Sequence, residues 1–341
     1  MITLKDLAAE VGVSASAVSL VLNDRHQGRV NAKTAERIRT AAADMGYIPN
    51  VLARGLRTKK THTIGLLSDN VASVPFAGRM LEGVQSVAWE AGYLALIVET
   101  TGRPELVSQS SKSLLQRDIE AVVIAADYHR PVELPVIPPT IPIVVLDGVA
   151  PSSAIADNVV PDEAGGAYSA VQHLIEAGHR RIGYCNVGGD RFIASGLRFS
   201  GYRNALADHG IALDPTLVVD LPDPGTSRAV APIRELLSSK NRPSALFCFS
   251  DQIAFAAYQV CSDLGLRVPD DLSIIGFDNQ QFIADALRPG LTTVQLPHHA
   301  MGAWAAQRAL DRIHGASTGP PETARISCPL IERASVAPPA H

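Results

Sequence analysis

What this 341-residue chain has little of narrows its chemistry first. Its four cysteines, Cys185, Cys248, Cys261 and Cys328, stand singly, with no Cys-x-x-Cys pair. That spacing argues against a thiolate metal site and a disulfide framework. Cys248 and Cys261 read as small buried apolar residues, and the expected compartment is the reducing cytoplasm. No run of eighteen apolar residues suggests a membrane span. The amino terminus carries Lys5, Asp6 and Glu10 where a signal peptide would be basic and then apolar. No strand is followed by a glycine-rich phosphate loop, and no G-x-S-x-G elbow or H-E-x-x-H pair marks an enzyme. The adjacent His298 and His299 make no metal site alone. No cofactor or metal is expected.

What is present begins with "GVSASAVSLVLN" (12–23), a stretch without charge or aromatic ring. On a helical wheel Ala17, Val18, Val21 and Leu22 share one side, and Ala15, Ser16, Ser19, Leu20 and Asn23 the other. Ser14 suits the N-cap. Upstream, "TLKDLAAEVG" repeats the design: Thr3 caps, Leu4, Leu7, Ala8 and Val11 form a stripe, and Gly12 ends the helix in the left-handed region. Two short helices with a glycine at the turn form either an ordinary helical hairpin or a helix-turn-helix, whose second helix enters the DNA major groove. A third helix follows Asn31, with Ala35, Ile38, Ala42 and Met45 at helical spacing. Over residues 1–60 ten Lys/Arg face five acids, whereas the whole chain is −4. A basic head on an acidic body is the charge footprint of a module that binds a polyanion.

Beyond Thr61 apolar strands such as "HTIGLLS", "YLALIVET", "IEAVVIAA" and "IPIVVLD" alternate with amphipathic helices. A second series runs through "RIGYCNV", "TLVVDL", "SALFCFS" and "LSIIGFD". Apolar strands with helical crossovers imply parallel sheets. The expected fold is a small all-α helix-turn-helix head (1–48), a linker (49–60) and an α/β core (61–341) of two doubly wound lobes. Lobe N should span about 61–160 and 292–325, and lobe C about 161–291 and 326–341. Ligands of open α/β sheets sit at the carboxyl ends of strands, which places a site in the cleft between the lobes.

The segments "TLKDLAAEVGVSASAVSLVLN", "YIPNVLARGLRTKKTHTIGLL", "HLIEAGHRRIGY", "RFSGYRNAL", "VPDDLSIIGFDN", "LTTVQLP" and "LIERASVAPP" together resemble the lactose/galactose repressor family, over nearly the whole chain. The resemblance implies a bacterial transcription regulator with a core like that of periplasmic sugar-binding proteins, acting as a homodimer on a pseudo-palindromic operator. Ligand either releases it from DNA or, in a corepressor mode, strengthens its hold. A tail without a heptad run favours a dimer over a tetramer. A carrier is the reading from another class, disfavoured by the basic head.

By position in the family motif, Ala15, Ser16, Ala17 and Leu20 meet the bases. Ser14, Ser19, Asn23, Asn31, Thr34, Tyr47 and Asn50 make phosphate or positioning contacts, with Thr3, Ala53 and Arg54 beside them. Members often carry long polar or aromatic side chains at 15 and Arg at 20. With Ala15, Ala17 and Leu20 no bidentate guanine or adenine contact can form, so direct readout from this helix is modest. Residues 51–60 match a hinge helix whose Leu56 wedges into the minor groove and favours deformable central steps. Gly55 should weaken that helix by about 1 kcal/mol relative to alanine. The effector positions map onto Phe76, Arg198, Ser250 and Asp278, a set suited to a sugar ring and its hydroxyls. Their alternatives are lobe core for Phe76, a surface ion pair for Arg198 and a cap for Asp278. The usual Asn-Pro-Phe-Phe run is here Val74-Pro75-Phe76-Ala77, and the usual Asn-Asp pair is Ser250-Asp251. Asp69, Asn70, Asp127, Tyr128, Asp147 and Phe192 lie near strand ends and are further candidates. His179 is read as a basic residue just past a helix end. Trp89 and Trp304 are read as core or dimer interface, and the carboxyl-terminal tail as frayed.

Overall fold

The computed structural model describes residues 2–47, 60–72, 74, 77–152, 155–188 and 192–340. It divides into two units, Met1–Thr61 and His62–His341. In the first, α1 (Leu4–Val11), α2 (Ala15–Leu22) and α3 (Ala32–Asp44) close around Leu7, Val11, Val18, Val21 and Ile38. Each start is built from a polar side chain. Thr3 and Asp6 exchange hydrogen bonds as a capping box, Ser14 Oγ accepts from Ala17 N (3.1 Å), and Asn31 Oδ1 accepts from Thr34 N (2.8 Å). Such caps are each worth about 1 kcal/mol. Gly12 ends α1 at φ 72°, where a side chain would be strained. Arg37 donates to the Val11 carbonyl (2.9 Å), tying α3 to the end of α1.

The second unit holds two six-stranded sheets. The first has the order β11-β5-β4-β3-β1-β2 and is wholly parallel. Its strands are β1 (Thr63–Asp69), β2 (Leu94–Glu99), β3 (Ala121–Pro131), β4 (Ile143–Val149), β5 (Asp157–Pro161) and β11 (Thr323–Ile326). The second has the order β12-β10-β9-β8-β6-β7. It is formed by β6 (Ile182–Val187), β7 (Val218–Leu221), β8 (Ala245–Cys248), β9 (Ser273–Asp278), β10 (Thr292–Gln295) and the antiparallel β12 (Leu330–Ile331). Strands buried on both faces explain the unbroken apolar runs. In lobe N, α4 (Gly78–Glu90) packs with α11 (His298–Ile313) on one face, and α5 (Pro104–Leu115) lies on the other. In lobe C, α6 (Glu163–Glu176) and α7 (Ile193–Asp208) cover one face, and α8 (Thr226–Ser238) and α9 (Asp251–Leu264) the other. The short α10 (Gln281–Ala284) follows β9.

Three expectations need correction. β10 pairs with β9 in the second sheet, so the chain returns to lobe N after Gln295 and not at 292. His179 does stand just past the end of α6, but buried: it is 1% exposed, with its ring nitrogens within 2.9–3.0 Å of Ser244 Oγ, Ser273 Oγ and the Ala337 carbonyl. The tail is therefore fastened at Ala337, whose N–H also donates to Ser273 Oγ (3.1 Å). Trp89 is 78% exposed, which removes the core half of its reading and leaves the dimer interface as the other.

Burial lowers the pKa of His179 below its ordinary 6.5. The unfolded chain then binds a proton that the folded one refuses, so the His179 contribution is complete above about pH 6.5 and shrinks as pH falls below it. We expect thermal unfolding of His179→Gln to be less acid-sensitive than wild type between pH 7 and 5. Parallel pH profiles would show that the ring is not a buried neutral hub.

Candidate functional site

The carboxyl ends of the strands carry the side chains of interest, and the backbone there is unusual. Asn70 after β1, Tyr128 and His129 in β3, Asp147 in β4, and Asp278 and Asn279 at the end of β9 all have positive φ, from 31° to 111°. Left-handed backbone at non-glycine residues is uncommon and clusters at ligand sites. In β3 the irregular stretch interrupts the register with β4 between Ala125 and Arg130, where the chain turns Asp127, Tyr128 and His129 out of the ladder.

Arg198 on α7 is the charged centre. It is 2% exposed, yet paired: Nε donates to Glu163 Oε2 (2.6 Å), Nη1 donates to the Phe249 carbonyl, and Asp278 Oδ1 stands 3.8 Å from Nη1. Its guanidinium lies 4.3 Å from the ring centre of Phe249 and 3.7 Å from that of Phe277. Burial alone would favour neutral Arg198, but Glu163 and Asp278 outweigh it and raise its pKa. Burial pushes Asp278 up to about 7 against the opposing pull of Arg198. It pushes Asp147 well above the carboxylate range, with Glu163 adding to the rise. Burial also lowers His129, whose Nδ1 is 3.9 Å from Glu163 Oε1.

Four buried polar atoms in this region have no hydrogen-bond partner among the described residues: His129 Nδ1 and Asp147 Oδ1 from lobe N, Ser195 Oγ and Gln280 Oε1 from lobe C. Leaving such a group unsatisfied costs about 1–3 kcal/mol, and each needs an explanation. The lobes also meet through rings, with Tyr128 and Phe192 centred 5.2 Å apart. Beside Asp278 and Gln280 a cavity of about 210 Å³ is lined by Arg79 of α4, Gln295, Leu296 and His298. A larger cavity of about 500 Å³ lies under the proline-rich segment that follows β3 and contains none of the four unpartnered atoms.

Arg198, Asp278, Asp127, Tyr128, Asp147 and Phe192 are thus brought to one region between the lobes. Asp69 and Asn70 are drawn into local structure. Asp69 accepts from Gly102 N (2.6 Å) and Thr100 Oγ1 (3.2 Å) and pairs with Arg130, while Asn70 N donates to Glu99 (2.8 Å). Ser250 caps α9 by accepting from Ile253 N (3.3 Å). Its neighbour Asp251 accepts from Gln280 N (2.6 Å) and Thr293 Oγ1 (2.5 Å), and so fixes the loop that carries Asp278. Phe76, Asn50, Ala53, Arg54 and Leu56 lie outside the described residues. Sequence reasoning missed Glu163, His129, Ser195 and Gln280. The available signal was a Glu at the start of a helix and polar residues beside strand ends.

In the head, Ser16 is exposed and Ala17, Ser19, Leu20 and Asn23 are half-buried, while Ala15 packs on the head's core with Leu22. Placing Ala15 wholly on the outer face is therefore corrected. Asn23 Nδ2 donates to the Ser19 carbonyl (2.7 Å), Thr34 N is held by Asn31, and Tyr47 packs on the core. Lys5 of α1, Arg25 and Arg29 between α2 and α3, and Lys33 of α3 are exposed.

A capped helix-turn-helix head and a two-lobed core of parallel sheets define a DNA-binding transcriptional regulator. Residues 3–50 match the family described as bacterial regulatory proteins, lacI family, and residues 171–336 match a periplasmic binding protein-like domain. The ribose operon repressor of Haemophilus influenzae is 33% identical over 316 residues, 92% of each chain. A LacI-family transcriptional regulator from Rhizobium etli superposes with TM-score 0.73 at 30% identity, over 82% of this chain and 100% of that one. The regulator CelR in complex with cellobiose gives 0.67 at 28%, over 98% and 100%. The chain belongs to the lacI family of bacterial regulatory proteins, and it is a regulator, not an enzyme. No helix among the described residues is long and apolar enough to cross a membrane.

Proposed function

We propose that this regulator is a cytoplasmic repressor, released from its operator when a sugar-type molecule occupies the cleft between the lobes. The observation that carries this is the convergence, from both lobes, of four unpartnered buried polar atoms around Arg198 and Asp278. Hydroxyl groups both donate and accept, so a polyhydroxyl ligand could satisfy all four. Two similar proteins, a ribose operon repressor and CelR in complex with cellobiose, support the sugar class. Contacts from both lobes make ligand binding depend on their closure. By linkage, operator lowers ligand affinity by the factor through which ligand lowers operator affinity.

On DNA the face of α2 with Ser16, Ala17, Ser19, Leu20 and Asn23 enters the major groove, and Ala15 reaches it from the helix start. Ser14, Asn31, Thr34, Tyr47 and Asn50 position the head on phosphates, with Thr3 and Arg54 nearby. The sparing side chains of α2 leave specificity to Leu56 at the operator centre, with Ala53 three positions before it in the sequence. Leu56→Ala should weaken specific operator binding by about 10- to 100-fold and leave nonspecific binding at the same salt nearly unchanged. Equal losses in a titration of both duplexes would rule out the wedge. We further propose a homodimer on a pseudo-palindromic site. Trp89 at the end of α4 and Leu94 at the start of β2 are 78% and 53% exposed, and we place the interface on them. Trp89→Asp should shift sedimentation toward monomer, whereas an unchanged dimer would place the interface elsewhere.

The test of the whole proposal is selection of duplexes from a random pool at fixed salt, repeated with a panel of sugars. A palindrome whose binding one sugar weakens is the expected result. A ligand that strengthens binding would make the protein a corepressor-dependent regulator.

A further inference from the structure

We propose that Glu163 sets the charge of the effector. By holding Arg198 it makes the cleft a site for an uncharged polyhydroxyl ligand and closes it to anionic sugars such as uronates and sugar phosphates. This rests on the effector reading above.

An arginine in a ligand cleft is ordinarily the group that would take a carboxylate or phosphate through its paired N–H edge. Here two of its three nitrogens are engaged and its charge is already answered. Glu163 accepts from Nε at 2.6 Å, the Phe249 carbonyl accepts from Nη1, and the rings of Phe249 and Phe277 pack on the guanidinium. Glu163 and Asp278 supply two carboxyl groups to the one cation. Asp127 stands near Asp147, whose carboxyl is kept protonated and uncharged by burial. Arg130 is itself held between Asp69 and Asp127. Arg79, at the wall of the 210 Å³ cavity, is more than half exposed and 4.0 Å from Glu82, so water screens it.

A ligand anion would therefore meet the Glu163 carboxylate and a partly ionised Asp278 beside a cation they already neutralise, and like charges brought together without water repel strongly. An uncharged sugar meets no such opposition. It also offers hydroxyl protons to Asp147 Oδ1 and Gln280 Oε1, and either role to Ser195 Oγ and His129 Nδ1. Glu163 reaches both lobes at once, since its other oxygen lies 3.9 Å from His129 Nδ1. Its charge is thus felt across the whole ligand space.

The experiment is calorimetric titration of the full-length protein with matched pairs: ribose and ribose 5-phosphate, galactose and galacturonate, glucose and glucuronate, cellobiose and cellobionate. For the neutral sugar that binds, its charged counterpart should bind about a hundredfold more weakly. In Glu163→Gln, checked for folding by circular dichroism, the gap should narrow at least tenfold, chiefly because the anion binds better. A wild-type gap below tenfold, or an unchanged gap in the folded variant, overturns the role of Glu163 while the sugar-effector reading stands. Should the variant not fold, the wild-type gap decides alone, with tenfold as the dividing line. Binding by no member of the panel overturns the effector reading, and this inference with it.

Discussion

Arg198→Ala should cost about 3–5 kcal/mol of folding stability, far more than an ordinary substitution. The guanidinium is buried between Phe249 and Phe277, so truncation removes packing as well as charge. The larger part comes from what is left behind. Glu163, 2% exposed, loses the donor at 2.6 Å, and Asp278, 6% exposed, loses its nearest cation. Buried carboxyl groups without a cation favour the protonated form, so their folded pKa rises above the unfolded value. Such groups stabilise fully below the unfolded pKa, and that contribution is lost as pH rises through the folded one. Wild-type Asp278, at about 7 against an ordinary 3.8, already behaves this way across that window. The deficit of Arg198→Ala should therefore be larger at pH 8 than at pH 5. Adding Glu163→Gln should recover part of it at pH 8. Urea denaturation of wild type, both single variants and the double variant at the two pH values completes the test. A deficit below about 1 kcal/mol at both would mean that Arg198 compensates no buried charge.

The same residue shows how far the sequence could be read. Arg198 and Asp278 were identifiable from the motifs around them, and both came to the cleft because those motifs place them at a helix and a strand end. Glu163 was not identifiable, since its neighbour in space is 35 positions away and nothing in its local pattern names a partner. The alternation of apolar runs and amphipathic helices conveyed both parallel sheets, because burial on two faces leaves a compositional mark. Which sheet β10 joins leaves none: "LTTVQLP" would suit either. Ser250 shows the opposite ambiguity. A serine before an acidic helix start serves equally as ligand contact or N-cap, and here its hydroxyl accepts from Ile253 N. Positive φ at Tyr128, His129, Asp147, Asp278 and Asn279 was invisible, because strain at non-glycine residues is imposed by tertiary packing and not by local preference.

The contact that sets lobe N is invisible in the same way, and it carries the other large expectation. Gly302→Ala should destabilise the protein by roughly 3 kcal/mol, although alanine in an exposed helix interior would gain about 1 kcal/mol over glycine. A Cβ at Gly302 would stand under 3.0 Å from the Met80 carbonyl oxygen of α4, and one at Gly83 would do the same to the His299 carbonyl oxygen of α11. The two glycines face each other's backbone, so no flexible side chain can move aside. The helices would have to separate. Doing so opens the cluster of Met80, Val84, Met301, Ala305 and Ala306 that both helices share with the sheet. Loss of close packing there outweighs the gain in helix propensity, which decides the sign. The control is Gly196→Ala on α7, where a Cβ meets nothing within 4 Å and the residue is exposed. That change should raise stability by up to about 1 kcal/mol. Denaturation midpoints at constant m separate the two cases. If both substitutions were neutral, α4 and α11 could slide without loss, and lobe N would not be held at their crossing.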